Sequence, residues 1–187
     1  MMQSGDPRVA RSRRVIMEAT IALLVERGVE ATTVEAIAER SGAAKTTIYR
    51  HWPGKAAVLR AAIESIIPVA KAPDTGSLRG DLLFFAHDLA GILTTSPTSA
   101  LIPALISAAE RDDELAHLLA AFTAGRRMPI HTAVARATER GETAADPELI
   151  ASLLLGPLFY RRLLSRTPLD PEFVEQVAAA VLARACR

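Results

Sequence analysis

The chain has 187 residues, a net charge of +1, 50% hydrophobic and 23% charged residues, and only 4% aromatics. This is ordinary globular composition, with room for one sizeable core or for a small domain beside a larger one. A lone cysteine, Cys186, excludes an intramolecular disulfide framework, and the longest near-apolar run, Leu149 to Tyr160, is too short to span a bilayer.

The charge is unevenly placed. Residues 1–60 hold ten Lys/Arg against six Asp/Glu, a surplus of four, whereas the remainder is three in deficit. A basic first third on a slightly acidic body is the asymmetry of a DNA-reading module joined to something else. The start MMQSGDPRVARSRR has no apolar segment, so no secretory leader is expected and the protein is read as cytoplasmic. Residues 1–10 read as a disordered arm. Arg8, Arg11, Arg13 and Arg14 lead into a first helix to about Arg27, with Ile16, Ala19, Leu23 and Leu24 as its apolar face and Gly28 as its stop. Those arginines oppose the helix macrodipole, which a phosphate or a narrow minor groove would make tolerable.

Thr32 to Leu59 reads TTVEAIAERSGAAKTTIYRHWPGKAAVL. Thr32 and Glu35 have capping-box spacing, and Val34, Ile37 and Ala38 follow as an apolar face. Ser41-Gly42 stops that helix, because glycine takes a positive φ without a Cβ penalty. A second short helix is predicted from about Ala44 to His51. Two short helices joined by a tight glycine turn make a helix-turn-helix, whose second helix enters the DNA major groove. On that second helix Ile48 is the only aliphatic residue and reads as the buttress, while Lys45, Thr46, Thr47, Tyr49, Arg50 and His51 are hydrogen-bonding or cationic. Lys45 and Thr46 sit where recognition helices meet base edges. Tyr49, His51 and Lys55 suit phosphate oxygens. Thr33, Ala43, Thr47 and Arg50 complete the candidate DNA-contact set.

Trp52-Pro53-Gly54 breaks the chain before a helix from about Lys55 to Ile67, with Val58, Leu59, Ala62, Ile63 and Ile66 apolar. Residues 68–77, ending in KAPDTGS, read as a linker. In the body, Ser77 is expected to open a helix to about Thr94, Ser96-Pro97 one to about Ala109, and Asp112 a long one to about Glu139. Asp146-Pro147-Glu148 and Asp170-Pro171-Glu172 each supply a cap carboxylate, a first-position proline and a first-turn acid. Those last helices are expected to run to about Leu164 and Ala185. Pro129, inside the long helix, deletes one backbone bond and is expected to kink it. No stretch alternates with period two, so the fold is expected to be all-α: an N-terminal domain over 11–67 and a helical domain over 78–187.

The run from about Arg11 to Ala62, and the string KTTIYRHWP-x-K above all, strongly resembles the N-terminal domain of the TetR family of ligand-responsive transcriptional repressors. The resemblance implies a three-helix DNA-binding domain, a palindromic operator on double-stranded DNA, and a C-terminal domain for ligand binding and dimerisation. Two positions depart from the family pattern: Ala44 stands where Ser or Thr is usual, so the recognition helix lacks its common cap, and Gly54 stands where Ser or Asn is commoner.

The last two expected helices carry more apolar surface than one edge of a small monomer needs, which points to a twofold dimer through a four-helix bundle. Leu149, Leu153, Phe159, Phe173, Val177 and Val181 are its candidate interface residues, and LLLGPLFYRRLL resembles a C-terminal subfamily of the same family. The resemblance also implies a ligand pocket, with Phe84, Phe85, Asp88, Leu89, Ile92, Leu105, Phe122 and Arg126 as candidate lining. Ile106, Met128 and His87 stand beside them. The effector is expected to be apolar or amphipathic, because the body offers few internal charges.

No enzyme is expected. GAAKTT lacks the glycines of a phosphate loop, the four histidines lack ligand spacing, and there is no G-x-S-x-G. Neither metal nor other cofactor is anticipated. The alternative to a ligand-released repressor is a DNA-binding interaction protein whose helical body serves a protein partner.

Overall fold

The computed structural model describes residues 7–95 and 98–185. Within them the chain forms helices only: α1 (Pro7–Ala31), α2 (Val34–Ser41), α3 (Lys45–His51), α4 (Lys55–Ile66), α5 (Leu78–Thr94), α6 (Thr98–Ala109), α7 (Asp113–Glu139), α8 (Pro147–Phe159) and α9 (Pro171–Ala185). No single described helix is long and apolar enough to cross a membrane. The expected start of α6 at Ser96-Pro97, the Cys186 thiol and residues 1–6 of the expected arm lie outside the described residues. Residues 7–10 of that arm are helical, the opening turn of α1.

The chain divides into two compact units, Met1–Pro68 with Ala100–Leu119, and Val69–Ser99 with Ala120–Arg187. In the first, α1 packs on α2 and α4, and α2 on α3. Ile16 and Leu23 of α1, Val34 and Ile37 of α2, Ile48 of α3, Trp52 and Val58 form one buried cluster. The expected α1 face is in place, with Ile16, Ala19, Leu23 and Leu24 all buried. Gly28 bends α1 (φ 78°, ψ −178°), a backbone only glycine adopts without strain, and helical residues resume beyond it.

The cap of α2 falls one residue later than the spacing predicts. Thr33 is the N-cap, its hydroxyl accepting from the Ala36 N–H at 3.1 Å. Thr32 is fully buried and its hydroxyl donates to the Gly28 carbonyl at 2.7 Å. With Thr33 capping, the third helical position is Ala36, so no carboxylate returns to the cap and Glu35 is left to face elsewhere. An ion pair joins Arg111, just past α6, to Glu30 near the end of α1.

In the second unit α5 packs on α8 and α9, and α8 on α9. Leu78, Leu82, Phe85, Ala86, Leu89 and Leu93 give α5 a buried stripe, met by Ile150, Leu154 and Leu158 of α8 and by Val174, Val177, Ala178 and Val181 of α9. The expected caps form: Ser77 accepts from Gly80 N, Asp112 from Leu115 N, Asp146 from Glu148 N and Asp170 from Phe173 N. Residues 73–77 are bound closely. Asp81, fully buried, accepts from Thr75; Arg136 donates to the Pro73 carbonyl, and Glu142 accepts from Leu78 N at 2.7 Å.

Helix α8 does not run on to Leu164 as an α-helix. Pro157 withholds an N–H from its ladder, and Tyr160–Ser165 form a π-helical turn ending at Arg166 with φ 53°. The turn directs Arg162 back across the unit, where it donates to the carbonyls of Leu93 (2.9 Å) and Ser99 (3.3 Å).

Candidate nucleic-acid interface

Helix α3 is anchored from one side. Ile48 is fully buried and Trp52, at its C-terminal end, nearly so. At 100° per residue, positions 46 and 50 lie opposite Ile48 and position 49 to one side of it, while position 45, three residues before Ile48, opens the helix on the side nearer to it. Lys45, Thr46, Tyr49 and Arg50 are all exposed, Tyr49 by 51%. The sequence pattern thus becomes a polar, cationic ridge on a helix held by one aliphatic pin. No side chain caps α3, since Ala44 stands at its N-cap.

Several of the candidates have polar atoms already engaged within the chain. The Thr33 hydroxyl caps α2, and Ala43 N donates to Ser41 Oγ at 3.2 Å. Thr47 and His51 are half-buried on α3. Lys55 Nζ donates to the Glu30 carbonyl at 3.3 Å, and Lys45 Nζ lies 2.7 Å from Glu35 Oε1. The His51 ring meets Trp52 edge-on at 5.5 Å, and the Arg13 guanidinium stands over the same indole at 5.5 Å. Burial holds the His51 imidazole below its usual range, and the charges of Arg50 and Arg13 push the same way. Its Nε2 is shielded, with no hydrogen-bond partner among the described residues.

Sequence reasoning missed Glu35 as a partner of Lys45 and Arg13 as a partner of Trp52. The first pair is ten residues apart across the turn, and the second joins α1 to the residue just past α3. Neither spacing follows a helical period.

In the second unit, Asp88 of α5 and Arg126 of α7 sense each other's charge while both are partly buried. Burial raises the Asp88 carboxyl and lowers the Arg126 guanidinium, and each offsets the other's shift. Arg126 also stands over the Phe122 ring at 4.7 Å, and the rings of Phe84 and Phe85 meet edge-on at 5.7 Å. Phe85 and Leu89 are core, Ile92 is half-buried and Phe84 is 44% exposed. Leu105 is fully buried and belongs to the first unit, whereas the other seven pocket candidates belong to the second.

Across α8 and α9 runs an open groove of about 550 Å³, lined by Leu149, Leu153, Pro157, Phe173, Gln176, Val177, Ala180, Val181 and Arg184. Five of the six expected interface residues line it. Phe159 does not; it is half-buried at the end of α8. Among the described residues no group of three His, Cys, Asp or Glu side chains is gathered as for a metal ion.

Residues 16–62 match the family described as bacterial regulatory proteins, tetR family, and residues 72–181 match the tetracyclin repressor-like C-terminal domain. The uncharacterized HTH-type transcriptional regulator YdeS of Bacillus subtilis (strain 168) is 35% identical over 185 residues, covering 94% of this chain and 91% of that protein. The DNA-binding transcriptional repressor TetR of Mycobacteroides abscessus is 29% identical over 187 residues, covering 97% and 95%. Among solved structures, the TetR family transcription regulator SCO0332 superposes with a TM-score of 0.73 at 29% identity, over 95% of this chain and 100% of that one. With both family domains matched in order and the recognition helix presented as described, the chain belongs to the TetR family of DNA-binding transcriptional regulators.

Proposed function

We propose that the chain is a repressor that binds a palindromic operator as a twofold dimer and leaves it when a small apolar or amphipathic ligand occupies the second unit. The observation that carries this reading is the apolar groove on α8 and α9, where Leu149 and Leu153 remain 39% and 38% exposed beside Phe173. Two copies apposed there bury these side chains in a four-helix bundle, at about 25 cal/mol for each Å² of apolar surface removed from water. Twofold symmetry in the protein asks for twofold symmetry in the operator. The name of the Mycobacteroides abscessus relative supports repression as the sign of control.

For the ligand, Phe84, Phe85, Asp88, Leu89, Ile92, Phe122 and Arg126 are the proposed lining, with Asp88 and Arg126 as the polar anchors of an otherwise apolar region. A ligand that prefers the conformer with wrongly spaced recognition helices weakens DNA binding by that difference in affinity. The test is selection of duplexes from a random library by the purified protein. Inverted half-sites with centres about one helical turn or more apart are expected, and ligands are then screened by release of that duplex. Enrichment of unrepeated sites, or of none, overturns the dimeric repressor.

A further inference from the structure

Lys45 opens α3 at the position from which recognition helices reach base edges. Its ammonium is nevertheless already engaged. Nζ lies 2.7 Å from Oε1 of Glu35, in the first turn of α2, so the pair bridges the two helices of the motif. Both side chains are half exposed, 51% for Lys45 and 61% for Glu35, so no core packing forces them together. Glu35 is not needed as a cap, because the Thr33 hydroxyl caps α2. The hydrogen bond from Lys45, followed by one from a backbone N–H, holds the Glu35 carboxyl below the usual carboxylate range. At neutral pH Lys45 therefore carries an internal counter-ion.

The carboxylate changes what Lys45 gains from each kind of DNA acceptor. Non-specific affinity comes from cations neutralising phosphates. A phosphate approaching Lys45 here brings a second negative charge toward Glu35, and the contact loses much of its gain. A guanine edge is different: O6 and N7 are neutral acceptors, and an ammonium has three donors, so Lys45 bonds the base without releasing Glu35.

We propose that Glu35 is a specificity-determining residue of the DNA contact, its carboxylate withholding Lys45 from phosphate oxygens and leaving it available to a base edge. The proposal rests on α3 being the recognition helix, and its role is exerted through Lys45.

The experiment compares wild type, Glu35→Gln, Lys45→Met and the double variant on two probes: a duplex enriched from a random library by the wild type, and a duplex of the same composition in scrambled order. Affinities are measured across a potassium chloride series. Glu35→Gln is expected to tighten binding to the scrambled duplex on the order of tenfold at low salt, and to steepen its salt slope by about one contact. The enriched duplex gains less, so the ratio between the two falls. In the Lys45→Met background the effect of Glu35→Gln disappears. Glu35→Ser is measured alongside, with melting temperatures, so that a local defect in α2 is not mistaken for a change in contact. Unchanged or weaker binding to the scrambled duplex in both Glu35 variants overturns the proposal, as does an equal gain in the Lys45→Met background. Wild-type protein that binds neither duplex in a salt-dependent way sinks the recognition-helix reading itself.

Discussion

Asp81 Oδ1 accepts both the backbone N–H of Thr75, at 2.9 Å, and its hydroxyl, at 2.8 Å, from a position with no exposed surface. One carboxylate thus fastens the segment before α5 to the helix itself, with Arg136 reaching the same carboxylate at 3.5 Å. Asp81→Ala leaves those donors without their acceptor and is expected to cost about 1–3 kcal/mol. Gly80→Ala strikes the same latch from the other side, since a Cβ there would clash with the Thr75 side chain. Urea denaturation checks both; wild-type midpoints for the pair would dismiss the latch.

The two adjacent threonines before α2 differ in what they hold. Thr33→Ala removes a helix cap and is expected to cost about 1 kcal/mol. Thr32→Ala removes a buried hydroxyl bonded to the Gly28 carbonyl, so it loosens the end of α1 instead. Amide exchange separates the cases: the first variant should expose the N–H of Ala36, the second that of residues around Gly28.

On α3 the expected effects differ in kind. Lys45→Ala should relax preference at one base position, by about 1–3 kcal/mol if that base is guanine. Tyr49→Phe and Lys55→Ala should weaken all duplexes alike, and Lys55→Ala should also shallow the salt slope. Binding curves on the enriched and scrambled duplexes decide between these patterns, and parental behaviour in all three variants would remove α3 from the interface.

His51 gives the molecule a pH dependence of determinate sign. Its imidazole titrates below the ordinary 6.5 in the folded chain, so the folded state binds fewer protons than the unfolded one. The associated stability is fully present above 6.5 and is lost as pH falls through the folded value. A phosphate beside the ring would favour the imidazolium, so DNA binding should take up a proton and strengthen on mild acidification. His51→Gln should flatten both profiles; an unchanged DNA profile would mean the ring does not face phosphate.

If two copies meet at the α8–α9 groove, Leu153→Glu places a carboxylate on its apolar wall. Sedimentation at micromolar concentration should then report a monomer with its helical content intact and its operator affinity reduced. A dimer of wild-type strength would move the interface elsewhere.

The parts legible from sequence were those decided within a few residues. Ser77, Asp112, Asp146 and Asp170 cap their helices because the acceptor and the N–H it needs are two or three positions apart. The buttress role of Ile48 followed from its being the lone aliphatic on a polar helix, and it is fully buried. What escaped was decided across space. Thr32 and Thr33 are equivalent as local signals, and burial of one against the Gly28 carbonyl selects the other as cap. The Glu35–Lys45 pair has no helical spacing and exists only because the turn at Gly42 folds α3 back beside α2.

The π-helical turn after Phe159 also sets where the apolar wall of α8 ends. Leu149, Leu153 and Pro157 succeed one another every four residues along the groove, and an uninterrupted helix would continue that row through Arg161 and Ser165. A π turn accommodates about one residue more than an α turn, which swings everything beyond it by roughly 100°. Arg162 is thereby aimed at the carbonyls of Leu93 and Ser99, while Leu164 is left 73% exposed. Deleting a single residue between Tyr160 and Ser165 would restore the α-helical phase, rotate Arg162 off those carbonyls and present a different set of side chains beyond Pro157. The reach of the wall is thus governed by the phase of the helix as much as by its composition.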